Sequence, residues 1–185
     1  MARRDQTEMA VLGALSMQPM TAYALREAIR EVLGHFWSES FGQIYPTLNA
    51  LEQDGHVRRQ EGPRAGSSIF QITDSGLARL RDLLNEPIKA APPRNGLLLR
   101  LFFGRHLGVR RCRELLQDAK ADAERRLAEY DALTRTVADE DRDSPHLPYT
   151  LMTISAGRHG AEAAVAWAEE ALAVLGTLPG NGDPQ

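Results

Sequence analysis

Hydrophobic residues recur at helical spacing along most of the chain, most clearly between Phe36 and Gly55. Within this stretch Ile44, Leu48 and Leu51 recur at i, i+4 and i+7, which predicts a helix with one buried face. Gly55 follows the pattern and is typical of a helix end, because glycine adopts the left-handed conformation without steric cost. This helix is the third predicted in the chain, and the neighbouring elements are interpreted in relation to it.

The outward face of the third helix carries amides, a phenol and small residues but no Lys or Arg. Asn49 lies on this face with Gln43 and Tyr45 at its flanks, and Asn and Gln side chains can pair with adenine in the major groove. Ser40 and Gln43 also fit a capping box, so Gln43 is either a base contact or a cap. Pro46 removes one backbone bond, so either regular helix begins nearer Gln43 than Ser40, or the first turn is distorted.

The predicted helices and strands before and after this helix follow one another in an order that indicates a fold. The predicted elements are helices at 7–16 and 21–33, the third helix, strands at 56–60 and 68–72, and a helix at 73–85. The two strands are joined by Gly, Pro and Ser residues and predict a β-hairpin. Val32 and Leu84 are among the residues expected to face inward. Three helices, a hairpin and a helix in this order indicate a mainly α winged helix-turn-helix fold.

The second helix carries a charged side away from its core face. Tyr23, Arg26 and Arg30 lie there within a narrow sector of the helical wheel, with Glu27 and Glu31 beside them. Taken alone, this mixture of charges predicts a solvated, salt-bridged face. The alternative is that Tyr23 and the two arginines contact phosphates.

The C-terminal half is predicted to be a separate helical module. Residues 1–85 form the first domain, the Pro-rich residues 86–95 a linker, residues 96–176 an α-helical dimerisation domain, and residues 177–185 a disordered tail. Helices are expected at 97–103, 109–138 and 149–175. The long helix at 109–138 has apolar or small residues at alternating spacings of three and four, which indicates a coiled-coil seam.

One face of the last predicted helix is built mainly from small residues, which let another helix approach closely. Its candidate contact residues are Tyr149, Met152, Ala156, Gly160, Ala163 and Trp167. Too little of a small domain remains to bury this face, so a second copy of the chain is the expected partner. Trp167 is interpreted as part of the dimer core, with a platform for a flat effector as the alternative.

Composition excludes some classes of function. The net charge of −3 over 185 residues means that nucleic-acid binding cannot be argued from bulk charge. The single Cys112 excludes an internal disulfide framework and fits a reducing compartment. No signal peptide or spanning apolar run is present, so a cytoplasmic protein without a membrane partner is expected. We find no metal-ligand spacing, phosphate loop or catalytic triad, and predict neither an enzyme nor a cofactor.

Several spaced motifs resemble the PadR family of bacterial transcriptional regulators. They are Pro19-Met20-x-x-Tyr23-x-Leu25, Tyr45-Pro46-x-Leu48-x-x-Leu51-Glu52-x-x-Gly55 and Ile72-Thr73-x-x-Gly76. The resemblance implies that the third helix enters the major groove and that the wing reaches an adjacent groove or phosphate. The DNA contacts expected on this basis are Tyr23, Arg26, Arg30, Ser40, Gln43, Tyr45, Asn49 and Arg64. The wing departs from the family, because Ser67, Ser68 and Ile69 stand where basic residues are usual.

The segments Leu97–Phe103 and Trp167–Ala171 resemble the C-terminal dimerisation domain of the virulence-activator branch of PadR-like regulators. The leading interpretation is a homodimeric regulator on a palindromic operator in double-stranded DNA, with a repressor preferred over an activator. The resemblance makes a small aromatic inducer plausible. The acidic balance and the poor wing leave an alternative open. The chain would then be a winged-helix module that binds protein without binding DNA.

Overall fold

The computed structural model describes residues 3–37, 41–62, 67–88, 94–140 and 142–178. The chain divides into two compact units, Met1–Ala91 and Pro92–Gln185. Ser40 and Arg64, two of the predicted DNA contacts, lie outside the described residues, as does the part of the predicted tail from residue 179 onward. Within the described ranges, no helix combines the length and apolarity needed to cross a membrane.

Helices account for most of the described N-terminal unit. They are α1 (Arg3–Met17), α2 (Ala22–Ala28), the π-helix Ile29–Leu33, α3 (Phe41–Gln53) and α4 (Asp74–Asn85). Thr21 caps α2 as predicted, because its hydroxyl oxygen accepts the N–H of Ala24 at 3.1 Å. Thr73 caps α4 through the N–H of Gly76 in the same way. Gly55 follows α3 with a φ of 73°, so the predicted left-handed helix end is confirmed.

A three-stranded antiparallel sheet completes the N-terminal unit. Its strands are β1 (Met20–Thr21), β2 (Val57–Glu61) and β3 (Ser68–Ile72), in the order β1-β3-β2. The predicted hairpin is confirmed as β2 and β3, with β2 shifted by one residue, whereas the short β1 was not predicted. In the register of the hairpin, Arg59 lies opposite the buried Phe70. This pairing decides which wing side chain reaches α3.

The core of the N-terminal unit lies between the helices and the inner face of the sheet. Its buried residues are Val11, Leu12, Leu15, Met20, Leu25, Ile29, Ile44, Leu48, Leu51, Val57, Phe70, Leu80 and Leu83. Two inward predictions are wrong, since Val32 is 43% exposed and Leu84 is 62% exposed. The π-helix places more residues in each turn than an α-helix does, which rotates Val32 away from the core. Leu83 takes the core position on α4, and its neighbour is turned about 100° from it.

The C-terminal unit contains α5 (Gly96–Phe102), a 3-10 turn at Gly104–His106, α6 (Val109–Glu140) and α7 (Leu147–Thr177). The long helices α6 and α7 pack along each other. Their buried residues are Cys112, Leu116, Ala123, Ile154, Ala161 and Ala168. A Cβ on Gly157 would overlap the outer end of the Tyr130 ring, so a larger residue at this position would require that ring to move. The predicted seam of α6 therefore packs against α7 of the same chain.

Candidate nucleic-acid interface

The polar face of α3 points to solvent on a helix that is anchored from its other side. Gln43, Tyr45 and Asn49 are exposed, with Tyr45 at 51%, whereas Ile44 and Leu48 are each 1% exposed. Anchoring of this kind holds outward side chains on a rigid support. The exposure of these residues therefore agrees with the helical periodicity of the sequence.

An open cleft of about 730 Å³ lies between α3, the start of α2 and the wing strand β3. This α3–β3 cleft is lined by Thr21, Ala22, Tyr23, Tyr45, Leu48, Asn49, Arg59, Ser67, Ser68 and Phe70. Three predicted site residues, Tyr23, Tyr45 and Asn49, meet there, and Tyr23 is 65% exposed. Phenols, amides and hydroxyls are groups that hydrogen-bond to phosphates or to base edges. The cleft thus gathers suitable groups from three elements.

Gln43 lies on the other flank of α3. It lines a separate hollow of about 260 Å³ with Arg4, Glu8, Pro46 and Asp54, among others. The structure therefore does not bring Gln43 into the α3–β3 cleft. The capping partner expected for it, Ser40, lies outside the described residues.

Arg26 and Arg30 form ion pairs with neighbouring glutamates rather than joining the cleft. Arg26 Nε lies 3.7 Å from Glu27 Oε1, and Arg30 pairs with both Glu27 and Glu31. This is the salt-bridged arrangement that the sequence pattern predicts. The arginine side chains are 36% and 54% exposed, where an ion pair contributes only about 0–1 kcal/mol. Ion pairs of this kind cost little free energy to break.

The two arginines of β2 point to opposite faces of the sheet, as successive residues of a strand do. Arg58 donates to Gln71 Oε1 from Nε at 3.1 Å and from Nη2 at 2.7 Å. Arg59 reaches α3 instead, where its Nη2 donates to Glu52 Oε2 at 2.8 Å and to Asn49 Oδ1 at 3.4 Å. Both cations at the foot of the wing are therefore engaged within the protein.

Sequence reasoning missed the link between Arg59 and α3 and the place of Ser68 in the cleft. A signal for Arg59 was present, because Val57 is a core residue and every second strand residue shares its face. The serines were noted only as replacements for basic residues. In the structure Ser67 and Ser68 both line the wall of the cleft.

Comparison with known proteins agrees with this architecture. Residues 11–82 match the transcriptional regulator PadR-like family, and residues 93–176 match the virulence activator alpha C-terminal family. The chain therefore contains a PadR-like family domain followed by a virulence activator alpha C-terminal domain. The negative transcriptional regulator PadR of Bacillus subtilis is 26% identical over 175 residues, which cover 90% of this chain and 95% of that protein. The family consists of transcriptional regulators and not of enzymes.

Solved structures share the fold of this PadR-like chain. Bacillus subtilis PadR in complex with operator DNA has a TM-score of 0.79 at 23% identity, covering 91% of this chain and 98% of that one. The same protein in complex with p-coumaric acid has a TM-score of 0.77 at 23% identity, with the same coverage. At this identity the similarity establishes the fold, and the winged helix followed by a helical unit is confirmed.

A second candidate surface of the PadR-like chain lies on α7. Its exposed residues are Tyr149, Met152, Ala156, Gly160 and Ala163. At about 100° per residue, these positions lie roughly half a turn from Ile154, Ala161 and Ala168, which pack toward α6. Since α6 occupies the opposite side of α7, it does not cover the small-residue face.

Trp167 is half-buried on the edge of this face and lines a cavity of about 590 Å³ in the C-terminal unit. The other lining residues are Leu101, Gly104, Arg105, Gly108, Val109, Cys112, Leu116, Glu170, Ala171, Val174, Leu175 and Leu178. Most of them are apolar, with Arg105 and Glu170 as the charged members. The cavity can hold a flat apolar ligand, and the same wall can receive a partner side chain.

Proposed function

We propose that this PadR-like regulator is a homodimeric repressor that binds a palindromic operator and releases it when a small aromatic molecule binds. The observation that carries the proposal is the α3–β3 cleft, where Tyr23, Tyr45 and Asn49 converge on a winged-helix unit. The complex of Bacillus subtilis PadR with operator DNA supports it. So does the name of that relative as a negative regulator.

In this proposal α3 lies in the major groove and its exposed face meets the bases. Asn49 contacts a base edge, while Tyr23 and Tyr45 donate from their hydroxyls to phosphate oxygens. Arg26 and Arg30 exchange their glutamate partners for phosphates when DNA approaches. Two protomers related by a two-fold axis then place two α3 helices on two half-sites, so the operator is palindromic.

The proposed dimer forms through the small-residue face of α7. Ala156, Gly160 and Ala163 allow the backbone of a partner helix to approach closely, and Tyr149 and Met152 add apolar area at one end. Because α6 covers only the opposite side of α7, a second copy can reach this face without unfolding the C-terminal unit.

The proposed effector site is the cavity beside Trp167, and the p-coumaric acid complex of Bacillus subtilis PadR supports an aromatic ligand. Titration with p-coumaric acid should change tryptophan fluorescence and weaken DNA binding together, measured in a Trp37→Phe background to isolate Trp167. If Trp167 is dimer core instead, Trp167→Ala should dissociate the dimer at a cost of roughly 3–5 kcal/mol. A Trp167→Ala dimer that keeps DNA binding and loses only the response would favour the pocket.

A gel shift of the full chain on DNA upstream of its own gene tests the proposal, with affinity measured over a range of salt concentrations. Phosphate contacts release counterions, so the affinity should fall steeply as salt rises.

The competing function is protein binding without DNA. It is favoured by the engagement of Arg26, Arg30, Arg58 and Arg59 with partners inside the protein. Absence of salt-dependent DNA binding would decide for that alternative.

A further inference from the structure

Arg59 connects the wing to the face of α3 that is proposed to read DNA. One of its nitrogens, Nη2, donates to Glu52 Oε2 at 2.8 Å and to Asn49 Oδ1 at 3.4 Å. Its guanidinium also lies 5.0 Å from the centroid of the Phe70 ring, which is itself 5% exposed. A carboxylate, an aromatic ring and the strand register therefore hold this side chain beside Asn49.

The contact favours one orientation of the Asn49 amide. A guanidinium has five N–H donors and no acceptor, so only the amide oxygen of Asn49 can face Arg59. The amide nitrogen must then point away from the wing strand. The exposed end of Asn49 is consequently a pair of N–H donors, while its oxygen is turned toward a neighbour in the same protein.

Pairing of asparagine with adenine needs a different arrangement. The oxygen must accept from adenine N6 while the nitrogen donates to N7, so both amide atoms have to face the base. With the oxygen held toward Arg59, Asn49 keeps only the donating half of that contact. Guanine suits the donor, because its N7 and O6 are adjacent acceptors, and thymine offers its O4.

We infer that Arg59 is a positioning residue that turns Asn49 into a donor, so that Asn49 selects a base acceptor on guanine or thymine instead of pairing with adenine. The inference rests on the proposed function and replaces the adenine contact expected from the sequence. Arg59 itself makes no phosphate contact in this arrangement, since Glu52, Asn49 and the Phe70 ring together hold its guanidinium. A residue of the wing thus influences which base Asn49 selects, without contacting the DNA itself.

Selection from a random double-stranded DNA library, followed by sequencing, tests the inference with the full chain. Asn49→Ala identifies the base pair that Asn49 reads, as the position whose preference disappears. We expect a G·C pair there in the wild type. Arg59→Met removes the donor and keeps an apolar stem near Phe70, so the released amide should raise the adenine preference at that position about tenfold. Arg58→Met is the matched control, because it removes the same charge from the same strand without touching Asn49.

If the wild type prefers an A·T pair at this position, the adenine is replaced by purine, which lacks the N6 amino group, and the affinity is measured again. Tolerance of purine would support reading of thymine O4, whereas loss of affinity with the wild type and not with Asn49→Ala would overturn the inference. If Arg59→Met weakened binding to all sequences equally, the inference would also be overturned, since Arg59 would then only hold the wing against α3. If the wild type binds no duplex in a salt-dependent way, the proposed function itself fails, before any variant is compared.

Discussion

At the residue scale, Tyr23 and Asn49 share one cleft but should have different roles. Tyr23→Phe removes a single hydroxyl and should weaken binding to operator and unrelated duplexes by the same factor, because phosphate contacts carry no sequence information. The expected loss is about 0.5–1.5 kcal/mol. Asn49→Ala should instead reduce the ratio of the two affinities by roughly 1–3 kcal/mol. Fluorescence anisotropy measures the affinity for both duplexes. If the two variants gave the same ratio of operator affinity to unrelated-duplex affinity, the division of roles between Tyr23 and Asn49 would be wrong.

His35 gives a prediction about pH at the same scale. Burial lowers the pKa of this imidazole below its ordinary value of 6.5, although a hydrogen bond to the backbone of Val32 acts in the opposite direction. The unfolded chain then binds more protons than the native one just below pH 6.5, so stability should fall as the pH drops through that value. His35→Gln should show a shallower decline in urea unfolding between pH 7 and pH 5. Parallel curves would exclude a contribution from His35.

Local pattern predicts the exposure of single residues better than their contacts. Periodicity alone indicated that Tyr45 and Asn49 face solvent, and both do. The contact of Arg59 with Asn49 depends on the register of β2 against β3 and on how the sheet meets α3. Neither of these tertiary relations has a signature within a few residues of sequence.

At the element scale, an ion pair joins α4 to α1. Arg79 Nε donates to Glu8 Oε1 at 2.7 Å and Nη2 donates to Oε2 at 3.3 Å, and this bond is the main reason that the pKa of Arg79 is raised. Arg79→Met should lower the free energy of unfolding by about 1 kcal/mol, because the pair is two-pronged but only partly buried. Arg81→Met, an exposed change on the same helix, should stay within about 0.5 kcal/mol. Equal effects of the two changes in urea unfolding would contradict this role.

Helix ends were predictable because they depend on local chemistry. Thr21, Thr73 and Gly55 act through their own side chain or backbone freedom, and all three lie where the sequence predicts a boundary. The π-helix and β1 were missed, since a π-turn and a two-residue strand leave no periodic trace. Pro46 shows the same limit, because α3 starts at Phe41 and continues through the proline. The buried face of α3 supplies stabilisation that the loss of one backbone bond does not outweigh.

At the scale of the whole molecule, the open face of α7 raises the question of a second copy of the chain. The sequence indicated this face from its small residues, and the structure shows α6 on the opposite side of the helix. The sequence pattern did not indicate that Ile154, Ala161 and Ala168, which are spaced seven residues apart, are the residues of α7 that pack against α6. The order of packing within the protomer therefore came only from the structure, and the dimer remains a proposal.

Gly160 allows this proposal to be tested without disturbing the protomer. A Cβ at Gly160 meets nothing within 4 Å, so Gly160→Leu should leave the fold of one chain intact. In a dimer packed through Ala156 and Ala163, the added side chain would push the partner helix away. Sedimentation velocity of the full chain at micromolar concentration should show a dimer for the wild type and a monomer for Gly160→Leu, with unchanged circular dichroism.

Gly176→Leu provides the matched control, because Gly176 also has open space around it but lies on the α6 side of the helical wheel, near the end of α7. It should remain dimeric. The monomeric Gly160→Leu chain should also lose affinity for a two-half-site operator far more than for a single half-site, since linked binding of the second α3 helix is then absent. A Gly160→Leu dimer that binds the operator like the wild type would show that protomers associate elsewhere.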